Sequence, residues 1–306
     1  MKKFFTILLL TALLFSTLSA DAFAEQNEYK TVVAFGDSLT YGYTVDGNSY
    51  AKIYADEKGY TLYNYARIGM TSAELADFLE TDLNYSTSDE ILLWIGANDL
   101  LQTASNYASQ KGIHYENMTV GDIELIRKEV KENNFRMAMQ KAVDDFAVYL
   151  DKILKTIKQN STGRIFLFTQ YNPYSGINIA IPSTGESLNV GLITEEWIEK
   201  LNNVITSCEN VDIIDTFFAI ENAEEKCVNV EINILTNTFN FDPHLNGIGQ
   251  REVYKSFLKS IEQDMELSEP RQKNPIYIVL SISGILILTG TIVFITAKKA
   301  SKSRRK

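Results

Sequence analysis

Five short apolar runs, rich in β-branched and aromatic residues, are spread along the middle of the chain. Continuous apolar runs of this length are typical of strands that are buried on both faces of a sheet. We therefore predict five buried strands, at Thr31 to Phe35, Thr61 to Tyr65, Ile91 to Ile95, Ile165 to Thr169 and Val211 to Ile214.

Helical periodicity fills most of the segments between and after these strands. The predicted helices are Tyr50 to Lys58, Ser72 to Leu83, a long one within Asp122 to Gln159, Glu195 to Ser207 and Asn246 to Gln263. Thr71 and Glu74 have the spacing of a capping box at the start of the second helix. Alternating strands and helices form a parallel sheet with right-handed crossovers, covered on both faces. The predicted fold class is α/β, a three-layer α/β/α sandwich with a five-stranded parallel sheet.

Three connections are longer than the others, and we expect them to be loops. They are Leu101 to Gly121, Tyr171 to Thr194 and Thr216 to Phe241. Long loops in compact domains are often functional, and ligands of such sheets bind beyond the carboxyl ends of the strands.

The first 24 residues have the pattern of a secretory signal peptide. Lys2 and Lys3 precede an apolar run from Phe4 to Leu18, and a small-x-small cleavage site, Ala22-Phe23-Ala24, follows. An uncleaved membrane anchor is the alternative, although the run is short for a bilayer span. We predict that residues 1–24 are removed during export.

The opposite end of the chain has the pattern of a membrane anchor. The uncharged run from Ile276 to Ala297 covers roughly 33 Å as a helix at about 1.5 Å per residue. Residues 298–306 are rich in Lys and Arg, which indicates a cytoplasmic tail. We predict a domain at 25–265 that is extracellular, a stalk at 266–275, a transmembrane helix at 276–297 and a basic tail at 298–306.

The predicted extracellular part is strongly acidic. The whole chain has 29 Lys and Arg against 39 Asp and Glu, a formal net charge of −10. Two basic residues fall in the signal and six in the tail, whereas only Asp21 is lost among the acids, so the remainder has a net charge near −17. Such a surface repels polyanions, and we expect no nucleic-acid partner.

The chain has two cysteines, Cys208 and Cys227. In an oxidising exterior their separation permits a disulfide, and the sequence leaves open whether one forms. Their spacing is not that of a redox or metal-binding pair, so neither is a candidate catalytic thiol.

Ser38 follows the first predicted strand in the segment "AFGDSLTYG". At the carboxyl end of a parallel strand, a serine exposes its hydroxyl to a crevice while its own N–H faces the same space. Ser38 is therefore a candidate nucleophile. The alternative is a turn followed by a helix cap, in which Gly, Asp and Ser are common.

A serine nucleophile needs a base, and the chain has two histidines, His114 and His244. His114 lies in the polar loop "KGIHYEN", whose pattern offers no acid to order the ring, and we interpret it as a surface residue. In "FDPHLNGIG", Pro243 favours an extended Asp242, so that its carboxylate and the imidazole of His244 project to one side. Asp242 would then hold the tautomer of His244. The alternative is an Asp-Pro turn with a surface histidine.

Two further positions are candidates for stabilising a negatively charged oxygen. Asn98 follows the third predicted strand in "LLWIGANDL", and its amide is a neutral donor suited to a developing oxyanion. Gly69 follows the second strand, and its N–H can approach an anion without interference from a Cβ. A capping asparagine and an ordinary loop glycine are the respective alternatives.

These residues resemble the SGNH hydrolase superfamily, the GDSL-type lipases and acylhydrolases. "GDSLTYG", Gly69, "GAND" and "DPHLN" match its four blocks in order, within a region from about Thr31 to Ile261. The resemblance implies a flavodoxin-like fold with Ser38 as nucleophile, His244 as base and Asp242 as its acid. It also implies an oxyanion hole formed by the N–H groups of Ser38 and Gly69 and the side chain of Asn98. The implied reaction requires no cofactor or metal.

The last block departs from the commoner form of the family. The acid there usually precedes the histidine by three residues, whereas Asp242 precedes His244 by two. Asp215 is the reserve candidate for the acid. "HLN" also replaces the frequent His-Pro-Asn, a change that we expect to be harmless.

Together these features predict an extracytoplasmic serine ester hydrolase, anchored in the membrane by its C-terminal helix. Its predicted substrate is an acyl ester of a small molecule, a lipid or a glycan. The alternative is a non-catalytic binding or scaffold protein that keeps the fold at the cell surface. The sequence does not predict an oligomeric state.

Overall fold

The protein is described by a computed structural model that covers residues 30–268 except 82, 114–118, 182–184 and 234–237. The chain divides into two units, residues 1–257 and 258–306. The first contains all the strands described below. The second is described only as the end of the last helix, to Ser268.

Several predicted segments lie outside these residues. They are the signal peptide, the surface histidine His114, the transmembrane helix, the basic tail and most of the stalk. Within the part of the chain that is described, no helix has both the length and the apolar character needed to cross a membrane. The leader and the anchor therefore remain predictions.

Five parallel strands form the central sheet in the order β2-β1-β3-β4-β7. Their bounds are Thr31–Gly36 (β1), Thr61–Asn64 (β2), Glu90–Trp94 (β3), Arg164–Phe168 (β4) and Asp212–Ile214 (β7). The predicted five-stranded sheet is confirmed, and each boundary lies within one residue of its prediction. Strands β1 and β3 are buried along almost their whole length.

The prediction that all five strands are buried on both faces is wrong for β2. This strand lies at one edge of the sheet, and three of its four residues are exposed. An edge strand has a neighbour on one side only, so its apolar residues need not be covered on both faces.

Nine helices are found among the described residues. Their bounds are Ser38–Tyr41 (α1), Tyr50–Lys58 (α2), Ser72–Phe78 (α3), Ala97–Gln110 (α4), Val120–Glu129 (α5), Asn133–Asn160 (α6), Val190–Thr206 (α7), Thr216–Glu221 (α8) and Gly247–Ser268 (α9). A 3-10 turn, Tyr43–Val45, follows α1. The predicted capping box of Thr71 and Glu74 is present at the start of α3.

The two faces of the sheet pack against different helices, because successive side chains of a strand point to opposite sides. Val33 and Leu93 belong to a core that they share with buried side chains of α3, α4, α6 and α7. On the opposite face, Phe168 contacts Tyr50 of α2 and Phe257 of α9. The predicted three-layer α/β/α arrangement is therefore confirmed.

The single long helix predicted within Asp122 to Gln159 is two helices, α5 and α6. Helix α6 starts at Asn133 and Asn134, and asparagine favours helix starts over interiors. Helix α3 also ends earlier than predicted, at Phe78, whose carbonyl accepts a hydrogen bond from the Thr81 hydroxyl at 2.7 Å.

The three predicted long loops contain regular structure. Helix α4 occupies about half of the first. An antiparallel hairpin, Asn178–Ile181 (β5) with Glu186–Asn189 (β6), lies in the second. Helix α8 and a second hairpin, Glu231–Asn233 (β8) with Thr238–Asn240 (β9), lie in the third. Helix α4 was not predicted, and Leu100 is its one buried residue.

Both cysteines are free thiols. Cys208 is half-buried and Cys227 is buried. Burial raises the pKa of each thiol, which favours the less reactive protonated form.

Candidate active site

Ser38 lies where β1 ends and α1 begins. The carboxylate of Asp37 accepts a hydrogen bond from the Leu39 N–H at 2.9 Å, which caps the helix. Gly36 has φ of +158°, and a Cβ there would lie 2.4 Å from the Trp94 carbonyl oxygen. Only glycine therefore lets β1 end this close to β3. As the first residue of α1, Ser38 has a backbone N–H without an intrahelical partner.

His244 lies just before α9 in a segment held by side chains from other parts of the fold. The Tyr171 hydroxyl donates to the Pro243 carbonyl at 2.5 Å, and the Thr44 hydroxyl donates to the Leu245 carbonyl at 2.5 Å. The Asn246 side chain accepts hydrogen bonds from the first N–H groups of α9 at 2.9 and 3.0 Å. These contacts fix the backbone on both sides of His244.

The structure brings Ser38, His244 and Asp242 together in one chain of contacts. His244 Nε2 lies 2.9 Å from Ser38 Oγ. On the other side of the ring, His244 Nδ1 lies 2.5 Å from Asp242 Oδ1. Asp242 Oδ1 also accepts a hydrogen bond from the His244 backbone N–H at 3.1 Å. The separation of two residues is therefore sufficient for the carboxylate to reach the ring.

Asp215, the reserve candidate for the acid, has a different contact. Its carboxylate accepts a hydrogen bond from the Phe218 N–H at 2.9 Å and caps helix α8. Asp242 is thus the carboxylate that lies against His244.

Tyr43 packs against His244, a contact that the sequence does not signal. The two ring centroids are 5.1 Å apart, with an interplanar angle of 54°. Tyr43 is 53% exposed, so it forms an outer wall beside the imidazole.

Asn98 lies in the first turn of α4 and reaches the same edge of the sheet. Its Nδ2 donates to the Met70 carbonyl at 3.0 Å and to Asp37 Oδ2 at 3.3 Å. Gly96, which ends the connection from β3, has φ of +123° and would place a Cβ 2.7 Å from the Phe146 ring. Glycine at this position lets α4 start directly beside the core and sets the position of Asn98.

Gly69 lies between β2 and α3 with φ of +78°, in the left-handed region that favours glycine. Its carbonyl accepts a hydrogen bond from Gln102 Nε2 at 3.0 Å, which joins this loop to α4. Asn98 and Gln102 thus tie the loop after β2 to one helix.

Two buried carboxylic acids lie behind these donors. Burial raises the pKa of Asp37 to about 7, and the negative charge of Asp99 adds to the rise. Burial also raises the pKa of Asp99, although the N–H and hydroxyl of Ser72 donate to its carboxylate at 3.0 and 2.5 Å. The sequence around Ser38 indicates a turn at Asp37, but only the folded structure shows that this side chain is buried.

A large cavity opens on Ser38 and His244. Its volume is about 650 Å³, and apolar side chains form most of its lining. It extends beneath α4 toward α5, α6, α7 and the hairpin β5–β6. A deep apolar space next to a nucleophile and its base is typical of a site that binds an organic substrate.

The sequence of the chain matches a known protein family. The GDSL-like lipase/acylhydrolase family matches residues 32–257, well over half of the chain. The chain belongs to this family. Membership in the GDSL-like family places the protein among hydrolases that act on esters. No curated protein matches the chain.

Solved structures share the GDSL-like fold at low identity. The phospholipase A1 of Streptomyces albidoflavus NA297 is 15% identical with a TM-score of 0.51, and the match covers 76% of this chain and 99% of that one. The extracellular lipase of Streptomyces rimosus is 15% identical with a TM-score of 0.50, with the same coverage of 76% and 99%. A variant of an acetylxylan esterase from Geobacillus stearothermophilus is 14% identical with a TM-score of 0.47, covering 76% and 94%. At these identities the likeness to the two Streptomyces enzymes shows the fold alone.

Proposed function

We propose that the protein hydrolyses acyl esters through a Ser38-His244-Asp242 triad and an acyl-enzyme intermediate. The observation that carries this proposal is the unbroken contact from Asp242 through the His244 ring to Ser38, with distances of 2.5 and 2.9 Å. A nucleophile, a base within hydrogen-bond reach and a third group that orients the base are the parts of such a triad.

Each residue of the triad has a defined part in this reaction. Asp242 accepts the Nδ1–H of His244, which leaves Nε2 free to take the Ser38 proton. Ser38 Oγ then attacks the acyl carbon, and His244 returns the proton to the departing alcohol. Water attacks the acyl-enzyme with His244 again as base, and the carboxylic acid is released. The cycle needs no cofactor.

The oxyanion of the tetrahedral intermediate would receive hydrogen bonds from the Ser38 N–H, the Gly69 N–H and Asn98. The bond from Asn98 to Asp37, at 3.3 Å, is longer than a typical N–H···O bond. Asn98 can therefore exchange this contact for an oxyanion without losing its bond to Met70. Donors already held in position stabilise developing charge most effectively.

We also propose that the reaction takes place outside the cytoplasmic membrane. The support is the predicted signal peptide at 1–24 and the predicted anchor at 276–297, which is followed by a basic tail. Exposing intact cells to a protease should remove the domain and leave the tail with the cells. A domain protected until the cells are broken would contradict this location.

A fluorophosphonate probe and the Ser38→Ala variant test the proposed reaction. The unaltered protein should be labelled at Ser38, because only an activated serine reacts readily. Ser38→Ala should lose labelling and roughly a thousandfold or more of its turnover of p-nitrophenyl butyrate. Ser207→Ala, at an exposed serine after α7, should retain both. Absence of labelling in the folded, unaltered protein would favour a binding or scaffold role.

A further inference from the structure

The cavity beside Ser38 is lined along α4 from its first turn to its end, and we call it the slot. Ala97, Leu101, Ala104, Ala108 and Lys111 all line it. Their spacings of three and four residues place them in one stripe of the helix. Three of these five are alanines, and the larger side chains of Leu100 and Tyr107 on the same helix also border the cavity.

The opposite walls are apolar. Ile126 of α5, Phe135 and Met139 of α6, Trp197 of α7 and Leu188 of β6 contribute to them. A sugar chain in this space would leave buried hydroxyl groups without hydrogen-bond partners, which is unfavourable. A hydrocarbon chain has no such groups and gains free energy from every methylene it buries.

Polar groups occur at the two ends of the slot. One end contains Ser38 and His244. At the other, Lys111 forms an ion pair with Glu129 at 2.8 Å, and the Tyr107 hydroxyl donates to Glu129 at 2.9 Å. The apolar lining therefore has a defined length between the reacting groups and this cluster.

We propose that the slot binds the acyl group of the substrate, a single unbranched chain of about 16 carbons. This inference rests on the proposed function, because the carbonyl must lie at Ser38. The thirteen steps along α4 from Asn98 to Lys111 advance about 20 Å at about 1.5 Å per residue. An extended chain advances about 1.2 Å per bond, so about 16 carbons fill the distance.

The slot distinguishes long acyl groups from acetyl groups by how much of it each one fills. An acetyl group leaves nearly all of the 650 Å³ without contacts. Each methylene that enters should raise kcat/KM by up to about fourfold, which corresponds to about 0.8 kcal/mol. The rise should stop where the chain reaches Lys111 and Glu129, because a longer chain must displace their ion pair.

A series of p-nitrophenyl esters from acetate to stearate tests the length directly. The expected kcat/KM increases from acetate onward and reaches its maximum near palmitate. If acetate is the best substrate, or acetylated xylan is a better substrate than the palmitoyl ester, the acyl slot is overturned. Labelling of Ser38 by the fluorophosphonate would in that case still support the triad, so the two proposals fail separately.

Two substitutions on α4 should change the preferred length by different amounts. A ring at Ala104→Phe would block the slot about 9 Å from Asn98, and one at Ala108→Phe about 15 Å from it, at about 1.5 Å per residue. The optimum should shorten to about 8 carbons in the first variant and about 12 in the second. Ser109→Phe, on the exposed side of the same helix, should keep the optimum at about 16. An unchanged optimum in folded Ala104→Phe and Ala108→Phe proteins would contradict the proposal.

Binding can be measured without turnover. Titration calorimetry of the Ser38→Ala variant with palmitate should show saturable binding at one site. Adding Ala104→Phe to that variant should weaken palmitate binding at least tenfold, whereas adding Ser109→Phe should not. No binding of palmitate to the folded Ser38→Ala protein would overturn the slot independently of the reaction.

Discussion

Asp37 accepts a hydrogen bond from Asn98 at 3.3 Å and connects the residue before Ser38 to the first turn of α4. The two residues are 61 positions apart in the chain, and each follows a strand of the central sheet. The contact therefore depends on the adjacent positions of β1 and β3. It links the buried carboxyl group of Asp37, whose pKa is raised, to Asn98, which is a predicted oxyanion donor.

The Asp37 carboxyl should make the stability of the fold depend on pH. Its pKa is about 7 when folded, because of burial, and about 3.9 when unfolded. Between these values the folded state holds a proton that the unfolded state releases. The contribution of Asp37 to the free energy of unfolding is therefore largest below about pH 4. It falls as the pH rises to about 7 and is constant above that.

Asp37→Asn removes this titration and keeps a side-chain oxygen for the helix cap. From pH 5 to pH 8, the free energy of unfolding of the variant should gain about 3 kcal/mol relative to the unaltered protein. Urea denaturation at the two pH values measures the change. Asp56→Asn, at an exposed carboxylate, should change by less than about 0.5 kcal/mol. If the variant and the unaltered protein differ in unfolding free energy by the same amount at both pH values, Asp37 does not titrate in this range.

Asp242→Asn should reduce turnover at neutral pH by roughly a hundredfold to ten-thousandfold, because an amide stabilises the wrong tautomer of His244. The measurement is kcat/KM for an ester together with the rate of fluorophosphonate labelling. Asp215→Asn is the matched control, since asparagine also caps α8, and it should stay within about twofold. Equal losses in the two variants would remove Asp242 from the triad.

Asn98→Ala should lower kcat by roughly a hundredfold to a thousandfold, the usual effect of deleting one oxyanion donor. KM should change little, because the donor acts mainly on the transition state. Asn222→Ala, at an exposed amide that ends α8, is the control. A variant that loses stability and keeps its kcat would assign Asn98 the role of holding Asp37 and Met70 in place.

Gly36→Ala should destabilise the fold by roughly 2 to 4 kcal/mol, because its Cβ would lie 2.4 Å from the Trp94 carbonyl oxygen. Gly59→Ala is the matched control, since Gly59 also has a positive φ of +69° but nothing within 4 Å of a Cβ. Its cost should be about 1 kcal/mol. Thermal unfolding of both variants measures the difference. Similar costs would show that the end of β1 can move away from β3.

Strands β1, β3 and β4 were predictable because most of their residues are buried in the interior of a parallel sheet. Val33 and Leu93 belong to apolar runs whose ends coincide with the ends of β1 and β3. Helix α4 was not predictable by the same signal. Its apolar residues Leu101, Ala104 and Tyr107 border a cavity and are only half-buried, and Leu100 is its one buried residue.

The sequence predicted that Ser38, His244 and Asp242 come together, because their motifs resemble those of a known family and Pro243 favours an extended Asp242, and the structure places them in contact. It did not indicate Tyr171 or Thr44, which hold the backbone beside His244 from distant parts of the chain. Tyrosine and threonine are common, and only the tertiary fold shows which of them donate to this segment. The same holds for the burial of Asp37, which follows from its position between packed layers.

Helix α4 carries Asn98 in its first turn and the alanines of the slot in its later turns. Because a helix is rigid, side chains at Ala104 and Ala108 can change in size while Asn98 stays at the edge of the sheet. Homologues can therefore evolve new chain-length preferences through single substitutions on α4, while the geometry of the reacting residues is retained.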